Sequence, residues 1–178
     1  MGYDIAYIKV KLSDNNLGDL FAKIYNKVMQ EQESWYQKEY HEISAEDVLN
    51  KGDGILTADG IDAHGLFENP NDTALRYVVK EFISQAPESE FSVIYDLSWD
   101  NCGEGLVEDY RYKDKTLKVE FSCPIYEDEL YEDDEFDEND YFDDEIKYGI
   151  LNESMYKYDS VKDKLELIKG DNIFPAKK

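Results

Sequence analysis

Thirteen carboxylates lie within a twenty-residue stretch of this chain, from Tyr126 to Glu145, with no Lys, Arg or His among them. This stretch, residues 126–145, is called the acidic segment below. Its carboxylates are Glu127, Asp128, Glu129, Glu132, Asp133, Asp134, Glu135, Asp137, Glu138, Asp140, Asp143, Asp144 and Glu145. They supply −13 of the net charge of −23. A line of like charge this dense either stays in water or meets a cationic partner, and it excludes direct binding to phosphate backbones.

The spacing of these charges can be compared with that of nucleic acid. Duplex DNA carries one charge per ~1.7 Å of axis. A helical acidic segment would carry one per about 2.3 Å, and an extended one only one per about 5 Å. A helix would, however, place carboxylates such as Asp128 and Glu132 four residues apart, and each such pair costs a few tenths of a kcal/mol. The sequence therefore predicts a loose segment that becomes ordered against a cationic surface.

Six apolar or aromatic residues interrupt the carboxylates of the acidic segment, whereas a purely solvating acidic stretch has few aromatics. They are Tyr126, Leu130, Tyr131, Phe136, Tyr141 and Phe142. Two interpretations stay open. The aromatic rings either pin the segment to its own domain or anchor it in a partner's groove that accepts phosphates and stacked bases.

Three classes of function fit this composition. The first is a soluble domain with a solvated acidic loop whose function lies elsewhere. The second, our working hypothesis, is a non-enzymatic inhibitor that mimics nucleic acid and binds the basic surface of a nuclease or defence effector, as anti-CRISPR, anti-restriction and immunity-type proteins do. Its contacts would come first from Glu132, Asp133, Asp134, Glu135, Asp137, Glu138 and Asp140, with Tyr131, Phe136 and Tyr141 as anchors, and then from Glu127, Asp128, Glu129, Asp143, Asp144 and Glu145. The third class comprises divalent-metal binding, enzymes and other roles.

Metal and enzyme motifs are weak throughout the chain. Alternating carboxylates from Asp133 resemble an EF-hand loop, but Glu138 stands where the turn needs Gly and Asp144 where a bidentate Glu closes the loop. Outside the acidic segment, Asp59, Asp62 and His64 form a compact cluster without a standard zinc spacing. No nucleophile motif, phosphate-binding loop or HExxH is present. We therefore predict no metal, no cofactor and no enzymatic activity.

Composition and length predict one soluble domain over residues 1–178, with residues 126–145 as an acidic insertion or edge segment within it. The chain is 42% hydrophobic and includes fifteen Tyr, enough for one core. No stretch approaches the ~18 apolar residues of a membrane span, and the N-terminus lacks the pattern of a secretion signal. Cys102 and Cys123 form no CxxC pair, which favours a reducing cytoplasm. The oligomeric state stays open.

Hydrophobic periodicity predicts a strand, two or three helices and then more strands. Ala6, Ile8, Val10 and Leu12 alternate as a first strand. A helix follows Ser13-Asp14 to about Glu33, Ser44 and Asp47 open a short one, and Asp72 caps a third that Pro87 ends. Residues 52–71, rich in Gly and Asp, are predicted to be a loop.

The second half of the chain predicts an antiparallel meander. Its strands follow the alternating residues of 91–99, 106–112 and 117–123, with a turn at Lys113-Asp114-Lys115. Beyond the acidic segment, Met155–Tyr158 and Lys164–Ile168 predict a terminal hairpin, with a helix from Ser160 as the alternative. The predicted fold class is α+β: an antiparallel sheet, made of the meander, the N-terminal strand and the C-terminal hairpin, with two or three helices on one face and an acidic insertion. The basic C-terminal residues Lys162, Lys164, Lys169, Lys177 and Lys178 are expected to neutralise part of the acidic segment.

Overall fold

A computed structural model describes residues 6–31, 42–49, 55–57, 75–96, 107–125 and 147–174, and the structural statements below concern those ranges. Seven strands form one sheet in which every neighbouring pair is antiparallel, in the order β2-β1-β3-β4-β5-β6-β7. The strands are β1 (Ala6–Leu12), β2 (Ile55–Thr57), β3 (Phe91–Asp96), β4 (Val107–Lys113), β5 (Thr116–Ile125), β6 (Lys147–Asp159) and β7 (Lys164–Lys169). Together with helices on one face, this sheet confirms the predicted α+β class.

Three helices are described: α1 (Gly18–Glu31), α2 (Ala45–Leu49) and α3 (Leu75–Gln85). Asp14 caps a 3-10 turn, Asn15–Leu17, that leads into α1, because its side chain accepts a hydrogen bond from the Asn16 amide at 2.9 Å. None of the described helices is long and apolar enough to cross a membrane.

The predicted capping interaction at the start of α2 is confirmed. The Ser44 amide donates to Asp47 Oδ2 at 2.7 Å, and the Asp47 amide donates to Ser44 Oγ at 3.4 Å. Asn26 on α1 then fixes the residue that precedes this cap. Its amide group donates to the Ile43 carbonyl and accepts from the Ile43 amide, both at 2.9 Å. The short helix α2 is thereby held against α1.

A run of aromatic ring contacts joins the helices to the sheet. Phe21 on α1 lies 5.3 Å from Phe82 on α3, and Phe82 lies 4.8 Å from Phe91 on β3. Phe91 in turn lies 5.4 Å from Tyr112 on β4. Separations of this size are those that aromatic rings prefer. The core therefore sits between the two long helices and the face of the sheet that carries Phe91 and Tyr112.

Two charged residues lie inside this core. Glu108 on β4 is 0% exposed, and its Oε1 accepts a hydrogen bond from the Tyr110 hydroxyl at 2.6 Å. Arg76 on α3 is 1% exposed, and its Nη1 donates to the Ile173 carbonyl at 2.5 Å. Burying charged groups is costly unless they are hydrogen-bonded, and these bonds offset part of that cost.

The residues after β7 return beneath the sheet. Ile173 is 1% exposed, and its amide donates to the Tyr156 hydroxyl at 2.7 Å. Gly170 makes the bend with a φ of +83°, and a Cβ there would lie 2.0 Å from the Glu153 carbonyl oxygen. Only glycine fits this position, since the φ is left-handed and the neighbouring atom is backbone.

Two elements differ from the sequence prediction, and the structure decides between the two alternatives predicted for the C-terminal residues. Residues 55–57, predicted to be loop, form strand β2. Strand β6 begins at Lys147, eight residues before the predicted Met155, because it pairs with β5 along most of its length. The terminal hairpin is confirmed, and the alternative helix from Ser160 is wrong because residues 160–163 form the turn between β6 and β7.

Candidate functional site

All sixteen predicted partner-binding residues, Glu127 to Glu145, lie outside the described residues, as do Asp59, Asp62 and His64. The structure places the residues that flank the acidic segment. Strand β5 ends at Ile125 and strand β6 starts at Lys147, and these two residues are paired neighbours in the sheet. The acidic segment therefore connects two adjacent strands of the scaffold.

The described scaffold carries little of the chain's net charge. It contains fifteen Lys and Arg against nineteen Asp and Glu, a net of −4, whereas the whole chain has −23. Such a nearly balanced surface does not by itself attract or repel a charged macromolecule strongly. The strong field of this protein originates mainly outside the described elements.

Cations on the scaffold are concentrated on the face of the sheet opposite the helices, called the open face below. Paired residues on neighbouring strands share a face, so the register that links Ser92 to Arg111, Arg111 to Lys118 and Lys118 to Met155 defines a line across the sheet. The line starts at Lys11 on β1 and ends at Lys169 on β7. Its four basic members, Lys11, Arg111, Lys118 and Lys169, are called the cationic row.

Three of the four basic groups of the cationic row have no carboxylate partner among the described residues. Lys11, Lys118 and Lys169 are exposed, and within the described residues no carboxylate lies within 4.0 Å of their ammonium groups. Arg111 is held by Asp109, which accepts from its Nη2 at 2.9 Å and from its Nε at 3.2 Å. This hydrogen bond and the charge of Asp109 raise the pKa of Arg111.

Two grooves follow the cationic row. One, of about 700 Å³, is lined by Lys11, Arg111 and Lys118 together with hydroxyl residues such as Ser92 and Thr116. The other, of about 260 Å³, continues across β6 to Lys169 and is also lined by the carboxylates Asp109, Glu120 and Glu153. Arg111 and Lys118 line both grooves, so the two form one track across the open face.

No protein-family model, curated protein or solved structure matches this chain. The candidate sites therefore rest on chemistry and geometry alone. Among the residues that the structure describes, no three His, Cys, Asp or Glu side chains form a group able to hold a metal ion.

Sequence reasoning missed the cationic row. Its extreme members along the chain, Lys11 and Lys169, are 158 residues apart, and each member looks like an ordinary solvated lysine or arginine of an alternating strand. The alternation of Lys9 and Lys11 with Val10 was visible in the sequence. The strand order that brings such residues into one line depends on tertiary pairing, which no local pattern encodes.

A hydrogen-bonded cluster joins α3 to the β6–β7 turn. Asp163 Oδ1 accepts from the Tyr158 hydroxyl at 2.6 Å and from the Ser84 hydroxyl at 2.7 Å. These bonds, the one from Tyr158 first, lower the pKa of Asp163, and the bond to Asp163 together with burial raises the pKa of Tyr158. The carboxylate at position 163 thus links a helix to the far end of the sheet.

We expect Asp163→Asn to lower stability near neutral pH by an amount that shrinks in acid. A carboxyl whose pKa is depressed by folding adds stability above its unfolded pKa of about 3.9, and this stability is lost as the pH falls through the folded pKa. Urea unfolding of both proteins between pH 7 and pH 2 would measure the difference. A difference that stays constant below about pH 4 would contradict the assigned role of Asp163.

Proposed function

We propose that this protein is a non-enzymatic inhibitor whose acidic segment occupies the nucleic-acid-binding surface of a basic protein, a nuclease or defence effector of the cytoplasm. The proposal rests on one observation: the charge excess of the chain is not distributed over its scaffold. The described scaffold has a net charge of −4, and the acidic segment alone has −13. Charge that served only solubility would not need to be gathered in one stretch.

The position of the acidic segment in the chain supports the same proposal. Its flanking residues belong to β5 and β6, which are inner strands of a seven-stranded sheet. A stretch attached at both ends to paired strands has fewer conformations to lose on binding than a free tail of the same length. Binding groups attached to rigid elements also keep their register with a partner better than groups at a chain end.

The interleaved aromatic residues supply the second half of the expected interface. Tyr131, Phe136 and Tyr141 stand among carboxylates in the sequence. A protein groove that binds single strands combines basic side chains with aromatic stacking surfaces. Carboxylates in place of phosphates and rings in place of bases would satisfy both parts of such a groove.

A capture experiment with competing nucleic acid tests this proposal. The protein is immobilised and exposed to a lysate of the organism that carries its gene, and the retained proteins are then challenged with duplex DNA at 150 mM salt. We expect a basic nucleic-acid-binding protein to be retained and to be released by the DNA. An uncharged peptide nucleic acid of the same sequence is the matched competitor and should release none. Retained proteins that duplex DNA fails to displace would contradict mimicry of nucleic acid.

A further inference from the structure

We propose that residues 171–174, called the latch below, fill a peptide-binding groove that the same residues of a second copy of this chain can fill in their place. The groove lies between α3 and β6, whose side chains hold the latch from both sides. Mutual exchange of latches would join two copies through contacts that each copy already makes within itself. The exchange requires no residue of the acidic segment, so it is independent of the inhibitor function proposed above.

The latch is held mainly through its main chain. Arg76 on α3 donates from Nη1 to the Ile173 carbonyl at 2.5 Å, and the Ile173 amide donates to the Tyr156 hydroxyl of β6 at 2.7 Å. The same hydroxyl donates to the Asp171 carbonyl at 3.1 Å. Each element beside the groove thus supplies one polar side chain that bonds to the backbone of the latch. A peptide bound in this way gains affinity from its main chain, whichever molecule it belongs to.

One buried side chain anchors the latch in the groove. Ile173 is 1% exposed and belongs to the core, whereas Asp171 and Asn172 are exposed. Phe174 is half-buried, and its ring lies 5.1 Å from that of Tyr156 in an edge contact. The latch follows the last residue of β7 and belongs to no strand, so its release breaks none of the described strand pairs. It can therefore leave the groove while the sheet stays intact.

Gly170 is the hinge that sets the position of the latch. Its φ of +83° belongs to the closed position, in which the latch fills its own groove. A Cβ at this residue would lie 2.0 Å from the Glu153 carbonyl oxygen and 2.9 Å from Ser154 Cα. The left-handed φ alone costs a residue with a side chain about tenfold in an equilibrium constant. An extended hinge that carries the latch to a second copy is open to every residue, so a side chain here penalises the closed position selectively.

The place of the hinge in the sheet allows two copies to meet. Gly170 directly follows β7, the outermost strand, and the three steps from Gly170 to Ile173 span about 10 Å when extended. Each copy carries a net charge of −23, which opposes the approach. Salt screens this repulsion. The exchanged dimer should therefore become stronger as salt rises, whereas an association through opposite charges would become weaker.

Sedimentation of the full-length chain tests the exchange over a range of protein concentrations, at 50 and 500 mM salt. We expect Gly170→Ala to raise the association constant about tenfold or more, because it disfavours only the closed position. The matched control is Gly18→Ala, the same change at a residue with a φ of −59°, and it should stay within about twofold of the wild type. Adding Ile173→Ser to Gly170→Ala removes the anchor and should abolish the dimer.

A fluorescent peptide of residues 169–178 tests the groove directly and also needs no variant. We expect saturable binding to the full-length wild-type chain, and binding about fivefold tighter or more to Gly170→Ala, whose own latch competes less. The same peptide carrying Ile173→Ser should bind about tenfold more weakly or worse, since it lacks the side chain that is buried in the groove.

Three results would overturn the proposal. One is the absence of saturable peptide binding to both full-length chains. Another is a dimer of Gly170→Ala that persists when Ile173→Ser is added, or that weakens as salt rises, because the contact between copies would then lie elsewhere. The last is a folded Gly170→Ala chain that stays monomeric at every concentration and both salt levels, since no second copy would then take up the latch.

Discussion

Replacing seven carboxylates of the acidic segment by amides is expected to weaken target binding by about a thousandfold or more at 150 mM salt. The replaced residues are Glu132, Asp133, Asp134, Glu135, Asp137, Glu138 and Asp140. Proteins that make six to ten phosphate contacts lose about 10³–10⁵ in affinity between 50 and 200 mM salt. If carboxylates take the place of phosphates, removing seven charges should have an effect of similar size, because each leaves a basic group of the target unpaired. Titration of the target obtained by capture measures the change.

A matched control variant removes seven carboxylates from the scaffold instead. These residues are exposed, and none forms an ion pair with a described residue: Asp19, Glu31, Glu42, Glu46, Glu120, Glu153 and Asp171. Both variants have the same net charge, so a general effect of charge would weaken both equally. The hypothesis requires that only the amides in the acidic segment cause the large loss. Equal losses, or wild-type affinity unchanged between 50 and 500 mM salt, would count against it.

The largest expected loss of stability follows from Phe82→Ala. Phe82 is 0% exposed and makes edge contacts with Phe21 on α1 and Phe91 on β3, at 5.3 and 4.8 Å. Removing a buried phenylalanine costs about 3–5 kcal/mol through lost burial and the cavity left behind. A typical domain is stable by only about 5–15 kcal/mol, so the variant loses a large share of its stability. Urea unfolding at 25 °C followed by circular dichroism measures the difference.

Val161→Ala is the control for this substitution. Val161 is 94% exposed in the β6–β7 turn, and a surface change of this kind alters stability by no more than about 0.5 kcal/mol. Phe82 occupies the centre of the contact between both long helices and the sheet. A loss below about 1 kcal/mol in Phe82→Ala would show that this contact is not the core of the domain.

The elements that the sequence predicted well share one property: their signal is local. In α3, the apolar spacing identified Leu75, Val78, Val79, Phe82 and Ile83 as inward, and all five are buried. The first strand and the meander followed from alternation in the same way. In each case one face of the element is buried against the core. Apolar residues therefore recur in the sequence with the period of that helix or strand.

The features that the sequence did not predict depend on partners distant in the chain. Strand β2 has only three residues and exists by pairing with Ile8 and its neighbours on β1. The early part of β6 contains Gly149 and Asn152, which are poor strand formers, but its pairing with β5 supplies the backbone hydrogen bonds. The cationic row and the burial of Glu108 likewise arise only when strands are placed side by side.

The acidic segment remains a prediction from composition. Its charge and aromatic content are the basis of the proposed class of partner, and in the chain it joins β5 to β6. No local pattern specifies the target, because a basic groove is complementary to many different acidic sequences. The identity of the target therefore depends on the capture experiment.

The register shift between β6 and β7 affects how this sheet ends. Pairing passes from Tyr156 with Leu167 to Met155 with Lys169, so Ile168 is an extra residue that bulges from the outermost strand and is 56% exposed. A bulge interrupts the regular row of amides and carbonyls onto which a foreign strand could add, and the charged side chains of Lys164, Glu166 and Lys169 flank it. Despite its exposed leucine and isoleucine, this edge of the sheet therefore carries two features, a bulge and flanking charges, that oppose edge-to-edge pairing with another strand.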